Sequence, residues 1–368
     1  MAEPLSRRLG DRRDNNYNLM RFLAAALVIY SHSFPMSGVN SDPLERLVGF
    51  SFGHLAVDVF FVISGFLVTG SLLSRRDVGS FAAARALRLF PVLVVGALGC
   101  AFVVGPLQTE LPLARYFTHP GTWAFAAMNS VPWPFGVCYT LPGVFQHVPV
   151  RGVVNGSLWS LPWELSMYVA LSALGLFAYA GRRRLSERAL RRTLVGIGLV
   201  ATAGFTVYEA FDFPYQFHLA QSLRLTSLFF GGAALLVLSD RVPLSGRLAL
   251  AAAALLVADF LLPRPLMAIY AAALVYLVLW LAYAPSGPLA FYNRVGDYSY
   301  GTYVYAFPIG QSVAAWMPGA PAATILLVTL PVTLAFAIPS WHLLEQRLLA
   351  LKPRSAASPA GGRGAEAV

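Results

Sequence analysis

Charged residues are scarce in this chain. Asp, Glu, Lys and Arg make up 12% of its 368 residues, about half the fraction that a soluble globular protein carries. Hydrophobic residues make up 57%. Such a composition excludes an ordinary water-soluble fold, and most of the chain is expected to face lipid.

Lysine is nearly absent, and acidic residues are outnumbered. The chain has 27 Lys and Arg against 17 Asp and Glu, and every basic residue except Lys352 is an arginine. An excess of basic residues is typical of proteins that bind nucleic acid or anionic lipid. Here the arginines lie in short segments between apolar runs, where the positive-inside rule accounts for them. We therefore expect no nucleic-acid partner.

Cysteine and processing signals are also sparse. The two cysteines, Cys100 and Cys138, lack the spacing of a metal site, so we expect them to be unpaired and to hold no metal. The chain starts with the polar segment MAEPLSRRLGDRRDNN, and the apolar run after it has no small-residue cleavage site. We expect that run to be retained as the first span.

Long apolar runs are what the sequence does contain. A helix needs roughly 20 residues to cross a hydrocarbon core of about 30 Å. The sequence has ten such runs, which predict an all-α, polytopic membrane bundle of about ten transmembrane helices. The predicted spans are residues 19–36, 51–73, 89–107, 156–180, 193–210, 219–238, 247–263, 266–284, 298–317 and 322–345.

The positions of the arginines test this number of spans, because alternate loops should be basic. With the N-terminus inside, all but five of the 27 Lys and Arg lie in inner segments. The five on or near the outer side are Arg46, Arg115, Arg151, Arg224 and Arg264. Losing or adding one span would destroy this alternation, so both termini are predicted to be cytoplasmic.

The segments around and between the spans differ in composition. Residues 1–18 are predicted to be a cytoplasmic N-terminal segment, and residues 19–350 the membrane domain. Within that domain, residues 108–155 are rich in Pro and aromatic residues and contain the turn signals VPWPFG and LPG. They are predicted to form an outer loop or lid. Residues 351–368, rich in Ala, Gly, Ser and Pro, are predicted to be a disordered cytoplasmic tail.

Ionisable side chains inside spans are costly and are therefore functional candidates. His32, Asp58 and Glu164 lie in the first, second and fourth spans. The predicted topology places all three roughly 10 Å below the outer surface. A histidine between two carboxylates suits a general base with orienting partners. The alternative is three unrelated polar contacts between helices.

Three arginines are candidates for holding an anionic ligand. Arg21 and His32 share one face of the first span, because a step of eleven residues turns the helix to roughly 20° beyond three turns. Arg85 and Arg88 lie one turn apart near the inner surface, just before Pro91. Such a pair suits phosphate. The alternative is ordinary anchoring at the inner surface.

Other polar residues have simpler interpretations. Ser64 and Gly65 in the second span are predicted to serve helix packing. Glu345 is expected to pair with Arg347 or with a neighbouring helix. The remaining histidines have no metal-ligand spacing.

Several short segments in order carry a family resemblance. They are RFLAAALVIYSH from Arg21 to His32, GHLAVDVFFVISGF, ARALRLFP, WSLPWELSMY from Trp159 to Tyr168, SYGTYVYAFP from Ser299, and the terminal element with Glu345. These segments resemble the acyltransferase-3 family, multi-span bacterial enzymes that O-acylate glycans and antibiotics such as macrolides. The match runs through nearly the whole chain.

The resemblance implies an O-acyltransferase of the bacterial cytoplasmic (inner) membrane. The donor would be cytoplasmic acyl-CoA, with acetyl-CoA the first choice, acting as a substrate rather than a tightly bound cofactor. The acceptor would be a hydroxyl of an exported or cell-surface glycan or of a glycosylated metabolite. His32, oriented by Asp58 or Glu164, would activate that hydroxyl or carry the acyl group transiently. The donor phosphates would lie near Arg21, Arg85 and Arg88.

One departure from the family pattern affects the late motif. Many relatives have a histidine two residues before its proline, where this chain has Ala306. No catalytic role is expected at that position, which indicates a subfamily. Two other classes stay open from the residues alone. One is a transporter or flippase with a buried proton path, although no inverted repeat is visible, and the other is a non-catalytic membrane scaffold.

Overall fold

The computed structural model describes residues 3–9, 15–132, 136–180, 185–211, 216–262, 266–283 and 288–352. These residues are almost entirely helical. The helices are α1 (Tyr17–Met36), α2 (Pro43–Val48), α3 (Phe52–Arg75), α4 (Val78–Gly99), α5 (Gly105–Gln108), α6 (Leu113–Thr118), α7 (Pro120–Ser130), α8 (Leu161–Gly175), α9 (Glu187–Ala210), α10 (Phe217–Val237), α11 (Gly246–Phe260), α12 (Met267–Tyr283), α13 (Ser299–Trp316), α14 (Ala322–Ser340) and α15 (Gln346–Leu349). From residue 353 onward, the predicted tail lies outside the described residues.

Shorter elements complete the chain. The strands β1 (Glu3–Pro4) and β2 (Pro243–Leu244) form an antiparallel pair. Turns of 3-10 helix occupy Leu5–Arg8, Gly156–Ser160 and Pro288–Arg294. Turns of π-helix at Cys100–Val104, Leu176–Ala180 and Trp341–Glu345 continue α4, α8 and α14.

The predicted all-helical membrane architecture is confirmed. Seven helical segments among the described residues are long and apolar enough to cross a membrane. They are Tyr17–Met36, Phe52–Arg75, Val78–Gln108, Gly156–Tyr179, Glu187–Ala210, Phe217–Val237 and Ala322–Leu349. Met267–Tyr283 is apolar but shorter. The seventh and ninth predicted spans, residues 247–263 and 298–317, coincide with α11 and α13. Each predicted span therefore falls on a helix, while ten membrane crossings stay a prediction.

The helix α4 begins well before the third predicted span, which starts at residue 89. Asp77 caps its first turn by accepting a hydrogen bond from the backbone N–H of Ser80 at 2.8 Å. Hydrogen bonds from Ser80 hold the pKa of the Asp77 carboxyl below its ordinary value. Because the helix starts at Val78, Arg85 and Arg88 lie on its third and fourth turns, one helical turn apart.

Several contacts join chain segments at one end of the helix bundle. The β1–β2 pair joins the N-terminal segment to the α10–α11 connection. The backbone N–H of Asn16, before α1, donates to the carbonyl of Ala282 at the end of α12, at 2.9 Å. Arg76 and Glu187 join the α3–α4 connection to the start of α9 at 2.6 Å. We call this end of the molecule the basic end.

Residues 108–132 and 136–155 form a folded cap at the opposite end, here called the loop end. The Tyr116 hydroxyl donates at 2.7 Å to a carbonyl in the π turn after α4. The Gln311 side chain, on α13, donates to the carbonyls of Val150 at 2.7 Å and Val153 at 2.6 Å. The cap and the π turn after α4 share a hydrophobic core, formed by Cys100, Ala101, Tyr116, Phe125, Ala126, Leu141, Val144, Phe145, Val148 and Val154.

Two glycines allow α3 and α10 to cross closely. A Cβ on Gly65 would lie 1.8 Å from the carbonyl oxygen of Phe229. A Cβ on Gly232 would lie 2.3 Å from the carbonyl oxygen of Val62. Only glycine fits at these positions, which confirms that Gly65 serves helix packing.

Candidate active site

His32 lies one turn before the end of α1, with its ring partly buried. The ring packs edge-on against Phe307 of α13, with centroids 5.0 Å apart. Among the described residues, neither ring nitrogen has a hydrogen-bond partner. A cavity of about 10 Å³ lies beside the ring, which is about the space of one water molecule. We call this cavity the His32 pocket, and it is lined by Ile29, His32, Ser33, Met36, Ala306, Phe307, Ile325 and Thr329.

The departure from the family pattern lies in this pocket. Ala306 lines the cavity together with His32, so its methyl group borders the space beside the imidazole. The Thr329 hydroxyl, on the opposite helix α14, is buried without a hydrogen-bond partner in the described part of the chain. The pocket therefore keeps two unpartnered polar groups, His32 and Thr329, around a small space.

Asp42 is the buried carboxylate that sequence reasoning missed near His32. Its side chain, 1% exposed, caps α2 by accepting from the backbone N–H of Glu45 at 2.9 Å. Its second oxygen accepts from the Ser31 hydroxyl at 2.6 Å and from the backbone N–H of Phe52 at 2.8 Å. Its charge acts on the neighbouring His32. The sequence signal was Asp-Pro with a Glu three residues after Asp42, a helix-start pattern that carries no sign of a catalytic role.

His54 is a second residue near the site that was not selected. It lies in the first turn of α3, and its Nδ1 is 2.8 Å from the Ser51 hydroxyl. Its ring lies tilted by 58° against that of Trp159, with centroids 6.1 Å apart, and is within electrostatic range of His32. The approach of α3 to α1 depends on Gly53, since a Cβ there would lie 3.0 Å from the Ser31 hydroxyl.

Asp58 has different partners from those expected. Its side chain is fully buried, and one oxygen is 3.1 Å from Arg224 of α10 and accepts from the Tyr270 hydroxyl of α12 at 2.6 Å. The other oxygen is buried without a partner among the residues described. Asp58 makes no hydrogen bond to His32. The expected orienting contact is therefore replaced by an ion pair with Arg224, which sequence reasoning had assigned to the outer side.

Glu164 also makes its contacts away from His32. It lies in the first turn of α8 and accepts hydrogen bonds from the hydroxyls of Tyr168, one turn along, and of Ser64 at 3.3 Å. Ser64 thus binds a carboxylate in addition to lying in the packed α3 helix. The structure does not join Glu164 to His32 by a hydrogen bond, so neither predicted carboxylate orients the ring directly.

Two of the three predicted anion-binding arginines are paired with carboxylates. Arg21 lies 2.9 Å from Asp297, which also accepts a hydrogen bond from Arg88. The second Arg88 contact is to Glu345, at 3.1 Å. Glu345 therefore pairs with a neighbouring helix and not with Arg347. We call Arg21, Arg88, Asp297 and Glu345 the arginine cluster, and its formal charges cancel.

Arg85 differs from its neighbours. It lies one turn before Arg88 on α4 and is 9% exposed. Its Nε is buried without a hydrogen-bond partner, and within the described residues it forms no ion pair. Because the arginine cluster is neutral, Arg85 carries the uncompensated positive charge beside it. Of the three predicted arginines, Arg85 is therefore the one available to an anionic ligand.

Comparisons with known proteins agree with one another. Residues 14–342 match the family described as acyltransferase domain. The chain is 26% identical over 349 residues to an O-acetyl transferase of Shigella phage Sf6, covering 92% of this chain and 96% of that protein. It is 29% identical over 385 residues to nodulation protein 10 of Rhizobium leguminosarum bv. viciae, covering 92% and 94%. No solved structure matches.

Proposed function

Because this chain belongs to the acyltransferase family whose domain spans residues 14–342, we propose that it transfers an acetyl group from acetyl-CoA to a hydroxyl of a glycan or glycosylated metabolite. The chain is an acyltransferase of the membrane, in keeping with its apolar helices. The name of the phage relative, O-acetyl transferase, supports acetyl as the acyl group. The donor and the acceptor are part of the proposal.

The observation that carries the proposal is the free imidazole of His32. A ring nitrogen that accepts no hydrogen bond from the described residues, next to a small cavity, is available to a substrate hydroxyl. In direct transfer, His32 takes the hydroxyl proton while the oxygen attacks the thioester carbonyl. The new C–O bond forms, the C–S bond breaks, and the imidazolium returns the proton to the CoA thiolate. A transient acyl group on His32 is the alternative route.

Asp42 has the position of a residue that supports this step. When His32 holds a proton, the negative charge of Asp42 stabilises the imidazolium electrostatically. The hydrogen bonds from Ser31 and Phe52 keep the carboxylate in place. In this proposal, Asp42 takes the role that sequence reasoning gave to Asp58 or Glu164, and it acts as a positioning residue.

The donor would bind at the basic end. Arg85 supplies an unpaired charge for a phosphate group of CoA, and the neutral arginine cluster lies next to it. Arg21 and His32 are separated along α1 by roughly 16 Å. An extended pantetheine arm that enters beside Arg85 and runs parallel to α1 would bring the thioester toward His32.

The proposed orientation is ten spans with both termini in the cytoplasm, in the bacterial cytoplasmic membrane. The β1–β2 pair supports it, since residues 1–18 and the α10–α11 connection lie on the same side in that topology. The Arg76–Glu187 pair supports it in the same way. A donor made in the cytoplasm would then meet the basic end of the protein.

Replacing His32 tests the proposal. We expect His32→Ala to reduce acyl transfer from labelled acetyl-CoA in proteoliposomes by about 100-fold or more, the usual contribution of a general base. His218→Ala, an exposed histidine on α10, is the matched control and should transfer normally. Undiminished transfer by the His32 variant would contradict the mechanism. Movement of a glycosylated substrate across the liposome membrane without an acylated product would favour a transporter instead.

A further inference from the structure

A cavity of about 580 Å³ opens at the loop end, on the far side of Met36 from His32. Its size falls within the range of small-molecule sites, about 300–1,000 Å³. The cap supplies one wall, and the ends of α1 and α13 supply the other. No step of the acyl transfer described above uses this cavity.

The polar residues that line the cavity offer both hydrogen-bond donors and acceptors. The Nε2 of Gln108 is buried and has no hydrogen-bond partner within the described chain. Gln146 donates through Nε2 to the carbonyl of Val144 at 3.0 Å, which leaves its oxygen to accept. Glu110 and His147 lie 3.0 Å apart at the rim. Sugar hydroxyls both donate and accept, so they match this mixture, whereas the carboxylate of Glu110 repels an anion.

Other residues that line the cavity are apolar. They include Phe145, Pro149 and Met317, and the Phe145 side chain is 3% exposed. Phe145 has a φ of +55°, a left-handed conformation that is unfavourable for an aromatic residue. Backbone strain of this kind is concentrated at ligand sites. A lining that combines apolar surface with hydrogen-bonding groups fits a sugar ring, whose C–H faces are apolar and whose edge carries the hydroxyls.

Met36 separates this cavity from the reacting residue. It lines both the large cavity and the His32 pocket and lies one helical turn beyond His32 on the same face of α1. Its Sδ packs so closely on Gly310 that a Cβ there would lie 2.7 Å away. The unbranched thioether changes rotamer easily. A movement of this side chain would join the two spaces.

We propose that the loop-end cavity binds a neutral sugar ring of the acceptor and that the Met36 side chain is the gate through which its hydroxyl reaches His32. This proposal rests on the acyl transfer proposed above. It also makes claims about binding and access that are measurable without any transfer. Gln108 is assigned as the specificity residue, because its buried amide gains a partner only when the sugar is present.

Sugar binding is tested first, in a variant that is expected not to transfer acyl groups. The His32→Ala protein in lipid nanodiscs is titrated with methyl glycosides of glucose, galactose and mannose, and binding is followed by saturation-transfer NMR. We expect at least one glycoside to bind, and Gln108→Ala to weaken it about 10-fold, as expected for one hydrogen bond to a desolvated group. Thr118→Ala on α6, outside the cavity, is the control and should bind normally. Absence of binding by all three glycosides, or equal binding by the Gln108 variant, would overturn the sugar site.

The gate is tested by the reactivity of the His32 ring. Diethyl pyrocarbonate modifies accessible imidazoles, and mass spectrometry gives the rate at His32 in the otherwise unchanged protein. We expect Met36→Ala to accelerate modification and Met36→Trp to slow it, with His147 at the rim reacting equally in all three proteins. Equal rates at His32 in the three proteins would overturn the gate. Neither measurement depends on acyl transfer, so both can be interpreted even if no acyl product is found. Failure of the proposed function is therefore distinguishable from failure of the sugar site or the gate.

Discussion

The arginine cluster and the His32 pocket differ in whether their polar side chains have partners. In the cluster, Asp297 lies between Arg21 and Arg88, and Glu345 completes the set, so each charge is matched. In the pocket, His32 and the Thr329 hydroxyl have no partners among the described residues. Matched charges hold helices together, and unmatched polar groups remain available to substrates. The difference separates the residues that build the membrane domain from those proposed to react.

The largest expected effect comes from breaking the cluster. Asp297→Ala leaves the buried side chains of Arg21 and Arg88 without their shared carboxylate. Removing one partner of a buried ion pair lowers the free energy of unfolding by about 3–5 kcal/mol. Thermal unfolding of the detergent-purified protein, followed by circular dichroism, measures this loss.

The matched control for that loss is an exposed ion pair. Glu187→Ala removes the partner of Arg76, and both side chains are more than half exposed. We expect the free energy of unfolding to fall by about 0–1 kcal/mol. Equal losses in the two variants would show that the arginine cluster is not a structural unit.

A smaller effect is expected at Arg85, the arginine that the cluster leaves unpaired. Arg85→Gln removes the charge proposed to bind a donor phosphate, and a charge-assisted hydrogen bond of about 1.5–3 kcal/mol corresponds to roughly a 10- to 100-fold rise in KM for acetyl-CoA. The thermal stability should change little, because no ion pair is broken. Steady-state kinetics of CoA release measure KM. A variant that loses stability but keeps its KM would place Arg85 with the structural residues.

Sequence reasoning predicted the helices well because apolar runs are local signals. The predicted span 156–180 coincides with the helical segment from Gly156 through the π turn that ends at Ala180. The third predicted span starts at residue 89, whereas α4 starts at Val78, because a polar helix start capped by Asp77 continues into the apolar run.

The partners of the site residues were not predictable in the same way. Asp58 meets Arg224 across 166 residues, and Arg88 meets Glu345 across 257. Such pairs depend on which helix faces pack together, and a single sequence does not contain that information. Asp297 lies just before α13, at a helix end where acidic residues are ordinary. The prediction located the ionisable residues in the spans but not their pairing.

Asp42 is a buried carboxylate near the His32 pocket and can be compared with the carboxylates of the arginine cluster. Like Asp297, it is almost completely buried, but it accepts from neutral donors and forms no ion pair with the described residues. The positive charge that would match it is the imidazolium of His32 formed during transfer. Asn at position 42 would remove the charge and still cap α2, since Asn and Asp are similar N-cap residues.

We therefore expect Asp42→Asn to lower kcat for acyl transfer about 10-fold, equivalent to about 1.4 kcal/mol of lost transition-state stabilisation, with the KM for acetyl-CoA unchanged. The free energy of unfolding should fall by about 1 kcal/mol, because one acceptor of a neutral hydrogen bond is lost. Kinetics and thermal unfolding on the same preparation separate the two effects. A loss of kcat that merely follows the fraction of unfolded protein would assign Asp42 to the scaffold, together with the arginine cluster. A loss of kcat in fully folded protein would place it with His32, because only a group that responds to charge formed in the reaction changes kcat without changing donor binding.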